Sequence, residues 1–349
     1  VTRLTALLLL ALVAGCSSSD TKRRVSPRFS AAEVPAAIAE SEADLDAGRY
    51  EAALERLRSA KNTPDLPAEQ RQAVQLVLER AAGEVITHST NASDLQELTD
   101  IDIPRPLAVE AGIRAAHLLF EEGERMKAFR LLRKLDAKFP QHPRRMQAAS
   151  LLYEVGKDLA SDDGSYLLIF HYKNDAPQVL EYLVMNHPSA PEGDEALWLL
   201  SQLYEEANQL DLAIEKHQDL ILWFLGSEYV VRSQAAIPRL RMAILHSPEY
   251  DRSQLLLARA ELETWLAEHG STAQPELIAE VRRDRTDAIR RLADSDLDIA
   301  RFYERVDSPK GATFHARRAF DLAREGADPV QIEEARELLQ AVQTEGSNP

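Results

Sequence analysis

The chain has 349 residues, of which 45 % are apolar, 28 % charged, 6 % aromatic and only 13 are glycine. That length suggests two or three domains, while glycine at about half of average usage argues against phosphate-cradling loops and hairpin-rich sandwiches. The apolar share is too large for an intrinsically disordered chain, so an all-helical fold is the first inference. With 41 Lys and Arg against 57 Asp and Glu, the net charge is −16; no positive field is left to hold a phosphate backbone, which argues against a nucleic-acid partner. The single cysteine, Cys16, excludes an intramolecular disulfide, a cysteine-cluster zinc site and a CxxC redox pair.

Residues 1–15 carry one positive charge at Arg3, an apolar run over residues 4–13, and the small residues Ala14 and Gly15. This is the pattern of a secretion signal and is too short for a membrane span. Val13-Ala14-Gly15-Cys16 resembles a bacterial lipobox. The resemblance implies cleavage before Cys16, lipidation of that cysteine, and attachment to the membrane through its acyl chains, each buried CH₂ contributing about 0.8 kcal/mol. An ordinary signal peptide with an incidental cysteine is the alternative. Residues 16–32 are polar and small at their start and read as a flexible tether. Ser17 stands where well-studied lipoproteins retained at the inner membrane carry aspartate, so the resemblance leans toward a lipid anchor in the bacterial outer membrane with the chain facing the periplasm.

From about residue 33 the chain reads as pairs of amphipathic helices, the signature of a repeat of about 34 residues such as the tetratricopeptide unit. A unit begun at Val109 places Ala115, Ala116 and Ala128 at helix crossings, Leu119, Leu132 and Leu135 on apolar faces, Gly123 in the turn and Pro140 at the end. One begun at Asp194 places Leu197, Leu200, Ser201 and Tyr204 on the first helix and Ala213, His217 and Leu220 on the second, with Leu225 where proline is expected. A third begun at Ala293 gives Ile299, Ala300 and Tyr303, then Gly311, Ala312, Ala316 and Ala319. Residues 48–60 and 144–188 supply two partial units, the second lengthened by an insertion at residues 161–174. The expected fold is therefore all-α, a right-handed tetratricopeptide-repeat solenoid of helical hairpins, with plain helical-hairpin packing as the alternative.

Residues 175–323 resemble the BamD family of outer-membrane assembly lipoproteins. The likeness rests on a helix end, Leu180-Glu-Tyr-Leu-Val-Met-Asn-His-Pro188, a Pro-Ser turn, and a helix rich in Ala, Leu and Tyr up to Tyr204. It continues through Ala213-Ile-Glu-Lys-His-Gln-Asp-Leu-Ile-Leu-Trp-Phe224 and Leu292-Ala-Asp-Ser-Asp-Leu-Asp-Ile-Ala-Arg-Phe-Tyr303. The proline that follows the Trp-Phe pair in the family is missing here. The chain thus divides into a signal peptide (1–15), a tether (16–32), N-terminal helical repeats (33–160), BamD-like repeats (161–343) and a disordered tail (344–349).

The resemblance implies a periplasm-facing scaffold that binds other proteins: a β-barrel assembly protein and unfolded outer-membrane clients. A tetratricopeptide lipoprotein serving another envelope machine, a pilus pilotin or a cell-wall and division coordinator, is the alternative. Trp198, Gln202, Tyr204 and Asn208 fall on a first helix, where repeat proteins build their groove, and are the candidate partner-binding residues. Core packing is the competing role for Trp198 and Tyr204.

No HExxH, GxSxG, GxGxxG or P-loop pattern occurs, so neither a catalytic residue nor a cofactor is assigned. A hydrolase hidden in residues 60–110 or 160–175 would need a cleft of convergent carboxylates with shifted pKa values. The nine histidines include no i,i+4 pair, so no metal site is expected. His142 and His187, each before a proline, read as caps on helix carbonyls. The acidic runs at residues 40–44 and 294–298 read as solvated helix faces, and the Arg-rich stretch 282–291 as an exposed helix laced by i,i+4 pairs.

Overall fold

In a computed structural model, residues 29–161, 175–245 and 252–345 are described. The signal, Cys16, most of the tether, nearly all of the insertion and the end of the tail lie outside them. The described residues form fifteen helices and no strand: α1 (Val34–Asp46), α2 (Tyr50–Lys61), α3 (Ala68–His88), α4 (Ala92–Leu98), α5 (Arg105–Glu121), α6 (Arg125–Lys138), α7 (Arg145–Ser161), α8 (Ala176–Asn186), α9 (Gly193–Glu206), α10 (Leu210–Trp223), α11 (Val230–Ile244), α12 (Arg252–His269), α13 (Pro275–Arg305), α14 (Pro309–Glu325) and α15 (Pro329–Glu345). Prolines open α13, α14 and α15, where the missing N–H would have no intrahelical partner in any case.

Five of the hairpins close with one and the same turn. Gly48, Gly123, Asn208, Asp307 and Ala327 each follow a helix end with φ between 50° and 79°. The residue after each one donates its N–H five residues back along the chain: Arg49 to Asp44, Glu124 to Leu119, Gln209 to Tyr204, Ser308 to Tyr303 and Asp328 to Ala323. This is the Schellman termination, which satisfies the last carbonyls of a helix and reverses the chain within a few residues. Its recurrence is a structural repeat that survives where side-chain identity does not.

Two compact units divide the chain, Val1–Ala111 and Gly112–Pro349. The boundary falls inside α5; it is a division by compactness, distinct from the division by resemblance at residues 160 and 161. In the first unit α1, α2 and α3 pack mutually over Val34, Ala37, Ala60, Leu66 and Val74. The second helix expected at residues 48–60 is α2, which buries Ala53, Leu57 and Ala60.

In the second unit each helix from α6 onward packs on the next, and α7 on α9, α11 on α13 and α13 on α15 pack as well. Hairpins stacked so that alternate helices meet are the tetratricopeptide arrangement, and the fold is all-α of that type. Small residues sit at the crossings: Ala115, Ala116, Ala128, Ala213, Ala300, Ala312, Ala316 and Ala319 are all fully buried. Glycine marks two further close approaches: a Cβ at Gly112 of α5 would lie 2.4 Å from Leu135 of α6, and one at Gly156 of α7 would lie 2.5 Å from Leu180 of α8. Between α11, α12 and α13, Trp265 anchors a cluster with Leu255, Leu262, Val281 and Leu292, and its indole N–H donates to the Val231 carbonyl at 2.9 Å.

Three local expectations are corrected. Asp44 and Asp296, both within runs read as solvated, are buried. Asp44 pairs with Arg49 and Arg56; Asp296 pairs with Arg252 at 2.6 Å, His315 at 2.7 Å and Arg318 at 3.6 Å. Each carboxylate is sunk between helices because cations from its neighbours meet it there. His142 and His187 do not spend their rings on helix carbonyls: both are buried beside Asp136, 3.7 Å and 2.8 Å away. Arg285 and Arg291 of the stretch 282–291 reach neighbouring helices rather than along their own. Arg285 reaches Glu263 and Glu325, and Arg291 donates to the carbonyls of Met242 and Leu245 at 2.7 and 3.0 Å, capping α11.

Candidate functional site

The second unit carries a groove of about 310 Å³ between α9, α11 and α13, at the lower end of the roughly 300–1,000 Å³ range of ligand pockets. Trp198, Ala235, Ala236, Leu277 and Val281 give it an apolar lining. Arg232 and Arg239 come from α11, about two turns apart, and Glu276, Glu280 and Asp284 from α13. The three acids stand at i, i+4 and i+8, so a helix of 3.6 residues per turn places them on one stripe.

The two signs of charge are not equally free. Arg239 donates both terminal nitrogens to Glu205 of α9, at 2.6 and 3.0 Å, and stands 3.9 Å from Glu280. Arg232 donates to the side-chain oxygen of Gln274 at 2.9 Å. Asp284 has no hydrogen bond and no ion pair among the described residues. Burial first, then the negative charge of Glu280, pushes its pKa from 3.8 up to about 6, against the opposing pull of Arg239. The groove therefore keeps an excess of carboxylate over available cation.

Convergent carboxylates with one raised pKa are the pattern that would mark a hydrolase. Here all three acids of the groove belong to one helix, with arginines opposite, so no acid and base flank a bond from two sides. The arrangement can attract and hold a ligand; it does not assemble a proton relay. No group of three or more His, Cys, Asp or Glu residues among the described residues is placed to hold a metal ion.

The four sequence candidates part company. Trp198 lines the groove, stacked on Tyr229 with centroids 5.3 Å apart and tilted against His217 at 5.5 Å. Gln202 is exposed one turn further along α9. Tyr204 is turned elsewhere: its ring packs with Ala213, Ala236 and Leu240, and its hydroxyl donates to Glu181 of α8 at 2.9 Å. Burial and that carboxylate together push the phenol above its ordinary value. Asn208 is not on the first helix at all; it occupies the left-handed turn after α9 with φ 56°, a conformation that asparagine tolerates better than most residues.

His217, a repeat-packing position in the sequence, is buried and shares a hydrogen bond with Ser233 through Nδ1 at 3.0 Å. Burial drives its pKa down to about 4, with Arg239 adding to the effect and Glu205 opposing it, so the ring beside Trp198 is neutral at physiological pH. Sequence reasoning passed over Arg239 and Glu280, and it took Asp284, within residues 282–291, for an exposed i,i+4 partner, whereas it is half-buried and has no ion pair among the described residues. The stripe at residues 276, 280 and 284 was readable, but the face of α13 that turns toward α11 is set only by packing.

No family model matches the chain, and no curated protein sequence does. Among solved structures the chain is similar to a Podosopora anserina protein of nearly identical TPR-like repeats, at 18 % identity over 69 % of this chain and 96 % of that one, with a TM-score of 0.30. It is also similar to a tetratricopeptide repeat protein from Parabacteroides merdae, at 13 % identity over 89 % of this chain and 99 % of that one, with a TM-score of 0.28. The repeat type rests on the chain's own helix order, crossing residues and recurring turn.

Proposed function

We propose that this chain is a protein-binding scaffold that works at the bacterial outer membrane, anchored by lipid on Cys16 and facing the periplasm, as a BamD-type component of β-barrel protein assembly. The observation that carries the scaffold reading is the groove between α9, α11 and α13: an apolar lining edged by fixed charges suits a partner's extended segment or helix. The lipobox at residues 13–16 and the BamD resemblance over residues 175–323 support the place and the process.

The test is purification of the tagged, lipidated chain from gently solubilised envelopes beside a Cys16→Ser control. Co-purification of a β-barrel assembly protein, weakened in the control, is the expected result. Recovery of a pilus or cell-wall complex without that barrel would keep the scaffold and overturn its assignment to β-barrel assembly. Recovery of no partner would overturn the scaffold itself.

A further inference from the structure

The groove has a property that protein binding in general does not require: its free charge is mostly of one sign, three carboxylates against the single unpaired guanidinium of Arg232. Both arginines on its α11 wall already donate to side chains of this chain, Arg232 to Gln274 and Arg239 to Glu205. Of the acids on the α13 wall, Glu280 meets only the flank of Arg239 at 3.9 Å, and Glu276 and Asp284 have no ion pair among the described residues. A partner's carboxylate entering here would find one cation without an ion pair, Arg232, against three like charges, since Arg239 is already spent on Glu205. A partner's guanidinium or ammonium would find carboxylates without donors and, beside them, the apolar lining of Trp198, Leu277 and Val281 to take the methylene stem of its side chain.

Resting on the scaffold reading above, we propose that this groove is a receptor for a basic side chain, arginine foremost, presented by a partner polypeptide, with Glu280 and Asp284 as its counter-charges. Arginine suits the site better than lysine because its planar fork can meet two carboxylate groups at once, and because its weaker hydration lowers the cost of entering a partly apolar groove. The partly buried, raised Asp284 supports the same direction: a cation beside it would relieve the cost of holding its charge. The other charged groups of the groove and its edge are Glu276, Glu280, Arg283 and Asp287 of α13, Arg232 and Arg239 of α11 and, through Arg239, Glu205 of α9.

The test uses the full chain and two labelled, end-capped decapeptides that share a central Leu-X-Leu, with X either arginine or its neutral isostere citrulline, read by fluorescence anisotropy at pH 7.5 and low salt. The arginine peptide is expected to bind at least about ten-fold more tightly, and the advantage to shrink as salt screens the charges. In the Glu280→Gln/Asp284→Asn variant, which removes charge without volume, the two peptides are expected to bind alike; an unchanged circular dichroism spectrum shows that the variant is folded. Equal binding of both peptides by the native chain would overturn the cationic preference and leave the scaffold reading in place. An arginine preference that survives in the variant would overturn the assignment to these carboxylates. Binding of neither peptide at millimolar concentration would overturn the receptor, and the scaffold then stands or falls on the co-purification.

Discussion

Two aspartates on the same helix, three turns apart, live under opposite rules. Asp296 is fully buried and surrounded by Arg252, His315 and Arg318, so its charge is answered from α12 and α14. Asp284 is only partly buried, yet nothing in the described chain donates to it. A carboxylate whose partners are built in acts as a structural fastener between helices; one whose partners are lacking is a local cost that a ligand can remove. The comparison separates the packing half of α13 from its binding half without appeal to any motif.

The comparison can be broken at either aspartate. The largest effect is expected at the fastener: Asp296→Ala strips two arginines and His315 of a shared carboxylate and should destabilise the second unit by about 3 kcal/mol in urea unfolding. A loss under about 0.5 kcal/mol would mean that these three side chains are satisfied by water instead. Next comes Gly156→Ala, which drives a methyl into Leu180 at the α7–α8 approach; overpacking of this kind costs about 1–3 kcal/mol, visible as a lower Tm.

At Asp284 the sign reverses. The folded-state pKa is raised from 3.8 to about 6, so the ionised carboxylate costs stability above pH 6, and that cost disappears as pH falls toward 4. Asp284→Asn should therefore stabilise the chain at pH 7.5 by about 1 kcal/mol, a figure reduced for solvent screening of a partly exposed group, and leave stability at pH 4 unchanged. Stabilisation that is equal at both pH values would show that charge is not the cause. The smallest effect belongs to Asn208→Gly: glycine enters the left-handed region freely, so the turn should be preserved within a few tenths of a kcal/mol, and peptide binding in the groove should not change.

Much of the repeat was readable in the residues. Gly123 in its turn, the alanines at the crossings and the apolar faces around Leu132 and Leu200 follow from helical period and side-chain size, which act locally. What escaped were facts decided between helices. Asp44 and Asp296 looked solvated because a run of acids has no visible partner until the arginines of neighbouring helices are brought to it. Asn208 looked like a groove residue because a polar side chain near a helix end does not announce a left-handed turn when glycine is absent. The unit begun at Ala293 was placed midway along a helix that starts at Pro275, since the apolar pattern continues through the join. Of the candidate groove, Trp198 could be read from its helix, whereas Glu280 and Asp284 needed the rotation of α13 about its axis.

The central claim is that Asp284 waits for a cation supplied by a partner, and its own titration tests this most directly. Carbon-detected NMR of the full chain should find the Asp284 carboxyl titrating near pH 6 alone, and moving down toward the ordinary aspartate range when the arginine decapeptide is added, but not when the citrulline peptide is. A midpoint that starts in the ordinary range, or that stays in place with the arginine peptide bound, would contradict the account.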